Sequence, residues 1–142
     1  MVDLKHLEGL TRDLIAEYEL TAPPIPVEMI LQNPRADMWD DLDITQISGS
    51  FIQVGDNYSP RMSMARVLAR HITLSTWGER RGVNETLDDP SLQAFARMLV
   101  MPATMILELN ASARTPELIS AHFEVPVEDA RLRLNDLKTY TP

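Results

Sequence analysis

Ser59-Pro60-Arg61-Met62-Ser63-Met64-Ala65-Arg66-Val67-Leu68-Ala69-Arg70-His71-Ile72 is the stretch from which the rest of the chain can be read. Met62, Ala65, Leu68, Ala69 and Ile72 fall on one side at three- and four-residue spacing, which predicts an amphipathic core helix. Ser59-Pro60 begins it, because a proline loses nothing at the first helical position. A second core helix is predicted over about 90–101, with Leu92, Phe95, Ala96, Leu99 and Val100 inward, and Pro102 starts a further one carrying Met105, Ile106 and Leu109. Beyond Asn110-Ala111-Ser112 a closing pair of helices occupies about 115–138. Its first member holds Leu118, Ile119 and Phe123, with Thr115 as N-cap and Pro116 at the first position; its second holds Val127, Ala130, Leu132, Leu134 and Leu137.

Toward the amino end, Leu4, Leu7, Leu10, Leu14, Ile15 and Tyr18 mark another amphipathic helix. Thr21-Ala22-Pro23-Pro24-Ile25-Pro26 ends it, and Pro26 can open a short helix through Val27, Met29, Ile30 and Leu31 that Asn33-Pro34 closes. Over 36–58 the helical period is lost. Ile44, Ile47, Phe51, Ile52 and Val54 are broken up by Ser48-Gly49-Ser50 and Gly55-Asp56-Asn57, which predicts two or three short strands leaning on the helices. The stretch 77–89 reads as a loop. The expected class is α+β: a mostly helical single domain over 1–142 with a small two- or three-stranded sheet.

Composition narrows the function. The 142 residues suit one domain. Zero cysteines exclude disulfides and thiolate metal sites, and the three histidines, His6, His71 and His122, are scattered. The formal charge of −8 repels nucleic-acid phosphates unless the few basic groups cluster. Met1-Val2-Asp3-Leu4-Lys5 lacks the basic start and apolar run of a secretory signal, and no stretch is apolar enough to span a bilayer. A cytoplasmic protein without a membrane partner is expected.

The run 61–71 resembles the active-site helix of the ImmA/IrrE zinc-peptidase family, which usually reads R-F-T-L-A-H-E-L-G-H. Leu92-Gln93-Ala94-Phe95-Ala96-Arg97-Met98-Leu99-Val100-Met101-Pro102 is similar to the same family's A-N-x-F-A-A-x-L-L-M-P segment. Ile119-Ser120-Ala121-His122-Phe123-Glu124-Val125-Pro126, followed by Ala130-Arg131-Leu132-Arg133-Leu134, resembles its closing pair of helices. The resemblance covers roughly the second half of the chain and implies a zincin-like scaffold.

In that family two histidines four apart bind zinc, and the glutamate beside the first acts as general base on metal-bound water. The matching positions here are Arg66, Val67 and Arg70. Arginine has no lone pair to offer a cation and valine cannot move a proton. The third family ligand falls near Asp89 or Ser91. Restoring the site through His71 fails, because adjacent helical residues point about 100° apart and the partner four residues earlier would be Val67. The resemblance therefore implies a metal-free pseudoenzyme without a cofactor.

Arg66 and Arg70, four apart on one helix, repel by roughly 0.2 to 0.5 kcal/mol when exposed. Either both are solvated, or their guanidinium groups replace the charge of the lost zinc by pairing with Glu85, Asp88 and Asp89. Met62, Met64, Met98, Met101 and Met105 read as core filling before they read as an adaptable groove. Trp39 and Trp77 suit either an interface or a covered core edge.

The function expected is a regulatory protein-binding module that keeps the peptidase groove. Its partner is a polypeptide, with a transcriptional repressor implied by the family, or a second copy of the chain. The candidate groove is lined by Phe51, Ile52, Val54, Met62 and Trp77, with Phe51, Ile52 and Val54 as an edge strand for an extended peptide. Two alternatives stay open: a hydrolase with an unfamiliar site, and a DNA-binding regulator using Arg131, Arg133 and Lys138 of the closing helices. Glu124, Glu128, Asp129 and Asp136 among those basic groups disfavour the second.

Overall fold

A computed structural model describes residues 3–39, 59–83 and 87–140. Among the described residues the order is α1 (Leu4–Glu17), α2 (Val27–Gln32), α3 (Pro60–Thr73), α4 (Thr76–Arg80), α5 (Asp89–Val100), α6 (Ala103–Leu107), a 3-10 turn (Ala111–Ala113), α7 (Pro116–Phe123) and α8 (Val127–Thr139). Polar side chains start several of them. Ser59 Oγ accepts from the Met62 N–H at 3.2 Å, Asp88 from the Ser91 N–H at 2.8 Å and Thr115 from the Leu118 N–H at 3.3 Å. Each satisfies one of the backbone donors that a helix start leaves open.

The centre is α5, which packs against α3, α1 and α8; α2 lies on α3, and α7 pairs with α8. This position explains the sequence of α5. Phe95, Ala96, Met98 and Val100 are completely buried, around most of its circumference, as a helix surrounded by others requires. Phe95 and Phe123 each contribute about 1.5–3 kcal/mol by full burial. On α3 the inward set is Met62, Met64, Ala65, Val67, Leu68, Ala69 and Ile72. Met98, Met101 and Met105 are buried with them, so these methionines are core.

The α+β expectation is overturned: the described residues form helices and contain no strand. The physical reason lies in the pairing just given, since the apolar stripes of α1, α2, α3, α5 and α8 are all covered by other helices. Ile44, Ile47, Phe51, Ile52 and Val54, from which the strands were expected, lie outside the described residues. The loop expected over 77–89 is also corrected at its start, where α4 forms. Ser75 caps it by accepting from the Gly78 N–H at 3.0 Å, and Gly78 lies so close to the end of α3 that a β-carbon there would stand 2.2 Å from the Ile72 carbonyl oxygen. A sequence period cannot reveal a five-residue helix held by such a contact.

Trp77, on α4, is 4% exposed. Its backbone N–H donates to the Asp37 carbonyl at 2.8 Å, and the Arg81 guanidinium lies 3.9 Å from its ring centroid. Trp39 donates its indole N–H to the Leu31 carbonyl at 3.0 Å. Both indoles therefore close the core edge. Among the described residues no helix is long and apolar enough to cross a membrane.

Candidate functional site

Along α3, the three positions read from the sequence as a degenerate metal site have separate environments. Val67 is buried in the core at 3% exposure. Arg66 is half-buried and donates from Nη2 to Ser63 Oγ at 3.2 Å, one turn earlier. Arg70 is exposed in the last turn, where a cation complements the carbonyl end of the helix. His71 is half-buried, its ring centroid 6.3 Å from that of Trp39, and the loss of hydration lowers its pKa below the ordinary value. Among the described residues no three His, Asp or Glu side chains converge as a metal site.

Of the acidic groups expected near Arg66 and Arg70, Glu85 lies outside the described residues. Asp88 is exposed and caps α5; its hydrogen bonds with Ser91 hold its carboxyl below the usual aspartate value. Asp89 is exposed in the first turn of α5. The carboxylate whose charge Arg66 favours is Asp129 of α8, with Arg97 acting more strongly on the same group. Burial outweighs both cations, so the Asp129 carboxyl sits above the usual range. Arg97 itself pairs with Asp136 at 3.0 Å. Arg66, Arg97, Asp129 and Asp136 thus form a mixed-charge cluster from α3, α5 and α8.

Of the expected groove, Phe51, Ile52 and Val54 lie outside the described residues, while Met62 and Trp77 are core side chains at 3% and 4% exposure. The described residues form concave surfaces of their own. A cleft of about 560 Å³ opens between α2, the first turns of α3 and the residue that follows α7. Val27 and Met64, both buried, line it alongside the half-exposed Met29. Glu28, Arg61 and Glu124 supply its charges, and Gln32 an amide. Arg61 donates from Nη1 to the Ile25 carbonyl, which fixes the guanidinium against the extended segment before α2.

Glu124 is placed at the cleft by the backbone turn that ends α7. Helix α7 ends with the Val125 N–H on the Ser120 carbonyl at 3.3 Å, the wrap in which the residue between turns left-handed. That residue is Glu124, at φ 56°, where glycine is usual. No hydrophobic period marks this residue, so sequence reasoning counted it only as a charge.

The closing helices turn one of their cations into the interior. Arg133 is completely buried: Nη1 and Nη2 grip the two carboxylate oxygens of Glu8, the second at 2.8 Å, and Nε donates to the Met101 carbonyl at 3.0 Å. Tyr140 donates its hydroxyl to the same carboxylate at 2.6 Å. Arg131 pairs on the surface with Glu128. Of the three cations considered for DNA phosphates, one is therefore enclosed and one is paired. Comparison of the chain with family models, with curated proteins and with solved structures finds no match.

Proposed function

We propose that the protein is a non-catalytic polypeptide-binding module whose recognition surface is the cleft between α2, α3 and Glu124. The observation that carries this reading is the cleft's make-up. Apolar side chains stand at its base, an exposed thioether at its rim, and charged and amide groups around it, which is the pattern of a site that takes one apolar anchor and orients it by a few polar contacts. Its volume suits a few side chains of a polypeptide. Arg66, Val67 and Arg70 supply neither metal ligand nor general base at the positions that resemble the ImmA/IrrE motif, which supports the non-catalytic part. The same resemblance suggests a transcriptional repressor as the partner class. Because the described residues contain no strand, docking by addition to a sheet edge is not part of this proposal.

A phage-displayed random-peptide library selected on the immobilised protein tests it. Enriched peptides should bind the unaltered protein and lose binding to Met29→Asp, a change at a half-exposed position that leaves the helical circular dichroism intact. No enrichment, or binders indifferent to Met29→Asp, would sink the cleft reading. The enclosure of Arg133 by Glu8 disfavours the DNA alternative, for which no salt-dependent shift with duplex DNA is expected.

A further inference from the structure

Resting on the polypeptide-binding reading, we infer that the occupant of the cleft is a basic segment, one apolar side chain flanked by a lysine or arginine. Two carboxylates, Glu28 and Glu124, line the cleft against one guanidinium, that of Arg61. Among the described lining residues two carboxylates against one guanidinium leave an excess of one negative charge, and the hydrogen bond to the neutral Ile25 carbonyl holds the guanidinium in place without altering that balance. The chain as a whole carries −8, which adds long-range attraction for cations and repels acidic ligands. Val27 and Met64 form the apolar base that receives the side chain, and the exposed thioether of Met29 adapts to its shape.

Glu124 separates recognition from folding in a way that can be measured. The left-handed position at the end of α7 suits glycine, so Glu124→Gly relieves the backbone while deleting one of the two carboxylates. A residue kept only for the fold gives no binding change in this variant. A recognition residue gives a melting temperature about 3 °C higher together with weaker capture of basic peptides.

The probes are three fluorescein-labelled octapeptides on one alanine frame, each with a central methionine flanked by lysine, glutamine or glutamate, titrated by anisotropy at low ionic strength. The lysine peptide should bind about fivefold tighter than the glutamine peptide, and the glutamate peptide weakest, as an exposed ion pair allows. Glu28→Gln and Glu124→Gln should each reduce that preference, and 0.5 M salt should remove it. Equal affinity for the three peptides overturns the basic-segment inference while leaving the cleft reading in place. Failure of the lysine peptide also overturns it, and the library selection then decides whether the cleft reading falls too. A dimer in sedimentation that Met29→Asp dissolves would assign the cleft to a second copy and overturn the inference.

Discussion

Glu8 and Arg133, 125 positions apart in the chain, form a bidentate ion pair with the guanidinium completely enclosed. It joins α1 to α8 across the end of α5, where the carbonyl of Met101, the residue after that helix, takes the Nε–H. Among the described residues no buried side-chain nitrogen or oxygen lacks a partner, so this charge is fully satisfied. Removing one member leaves the other charged and dry. Arg133→Met or Glu8→Leu alone should lower stability in urea by about 3–5 kcal/mol, whereas the double variant should recover most of the loss. If the double variant is no better than the singles, the pair is not the unit that holds the helices together.

Tyr140 completes the same cluster from beyond the end of α8. Burial and the hydrogen bond to the Glu8 carboxylate push its phenol well above its usual value of 10.0. The unfolded chain therefore releases this proton first, so the contribution is whole below pH 10 and lost as pH rises through the folded value. Tyr140→Phe should cost about 1–2 kcal/mol at neutral pH. It should also flatten the alkaline decline above pH 10. Parallel alkaline curves for the two proteins would contradict the assignment.

His71 reports on the other side of the pH scale. Desolvation lowers its pKa from 6.5, so below that value the unfolded chain takes up the proton more readily than the folded one. Its neutral form contributes stability that is whole above pH 6.5 and lost as pH falls through the folded value. Urea midpoints measured from pH 7.5 to pH 5.5 should fall further for the unaltered protein than for His71→Gln. Equal declines would show that the ring is hydrated in solution.

Gly78 has no room for a side chain. A β-carbon 2.2 Å from the Ile72 carbonyl oxygen overlaps backbone that cannot swing aside. Gly78→Ala should cost about 3 kcal/mol or more, a fall in melting temperature of roughly 6–12 °C for a domain of this size. A loss below about 2 °C would mean that the turn between α3 and α4 opens freely.

Metal content tests the motif positions. With arginine at 66 and 70 and valine at 67, protein dialysed against micromolar zinc should retain less than one equivalent, measured by plasma mass spectrometry. One tightly held zinc per chain, lost on His71→Ala, would refute the degenerate reading of α3.

Much of the helical order is legible in the sequence. The three- and four-residue spacing in α1, α3 and α5 follows from one-sided burial, and Ser59-Pro60 and Thr115-Pro116 mark helix starts that the structure reproduces. What spacing does not carry is pairing. Glu8 sits on the same stripe as Leu7, Leu14 and Ile15, a signal that its carboxylate is buried, yet nothing local says whether Arg131 or Arg133 meets it. The answer depends on the rotation of α8, which turns Ala130 and Arg133 inward and leaves Arg131 outside. The cleft is hidden for the same reason. Val27, Met64 and Glu124 come together only because α2 lies on α3 near the end of α7, and short apolar stretches do not announce which neighbour they will meet.

The clamp between Glu8 and Arg133 also sets a clock on biosynthesis. A ribosome delivers the chain from its amino end, so α1 emerges with a carboxylate on its apolar face long before the guanidinium that neutralises it has been translated. Until position 133 leaves the exit tunnel, the Glu8 carboxylate has neither the guanidinium nor the helix that covers it in the folded protein. Nascent chains should therefore keep α1 loosely docked and sensitive to protease, and gain resistance in one step as α8 is released.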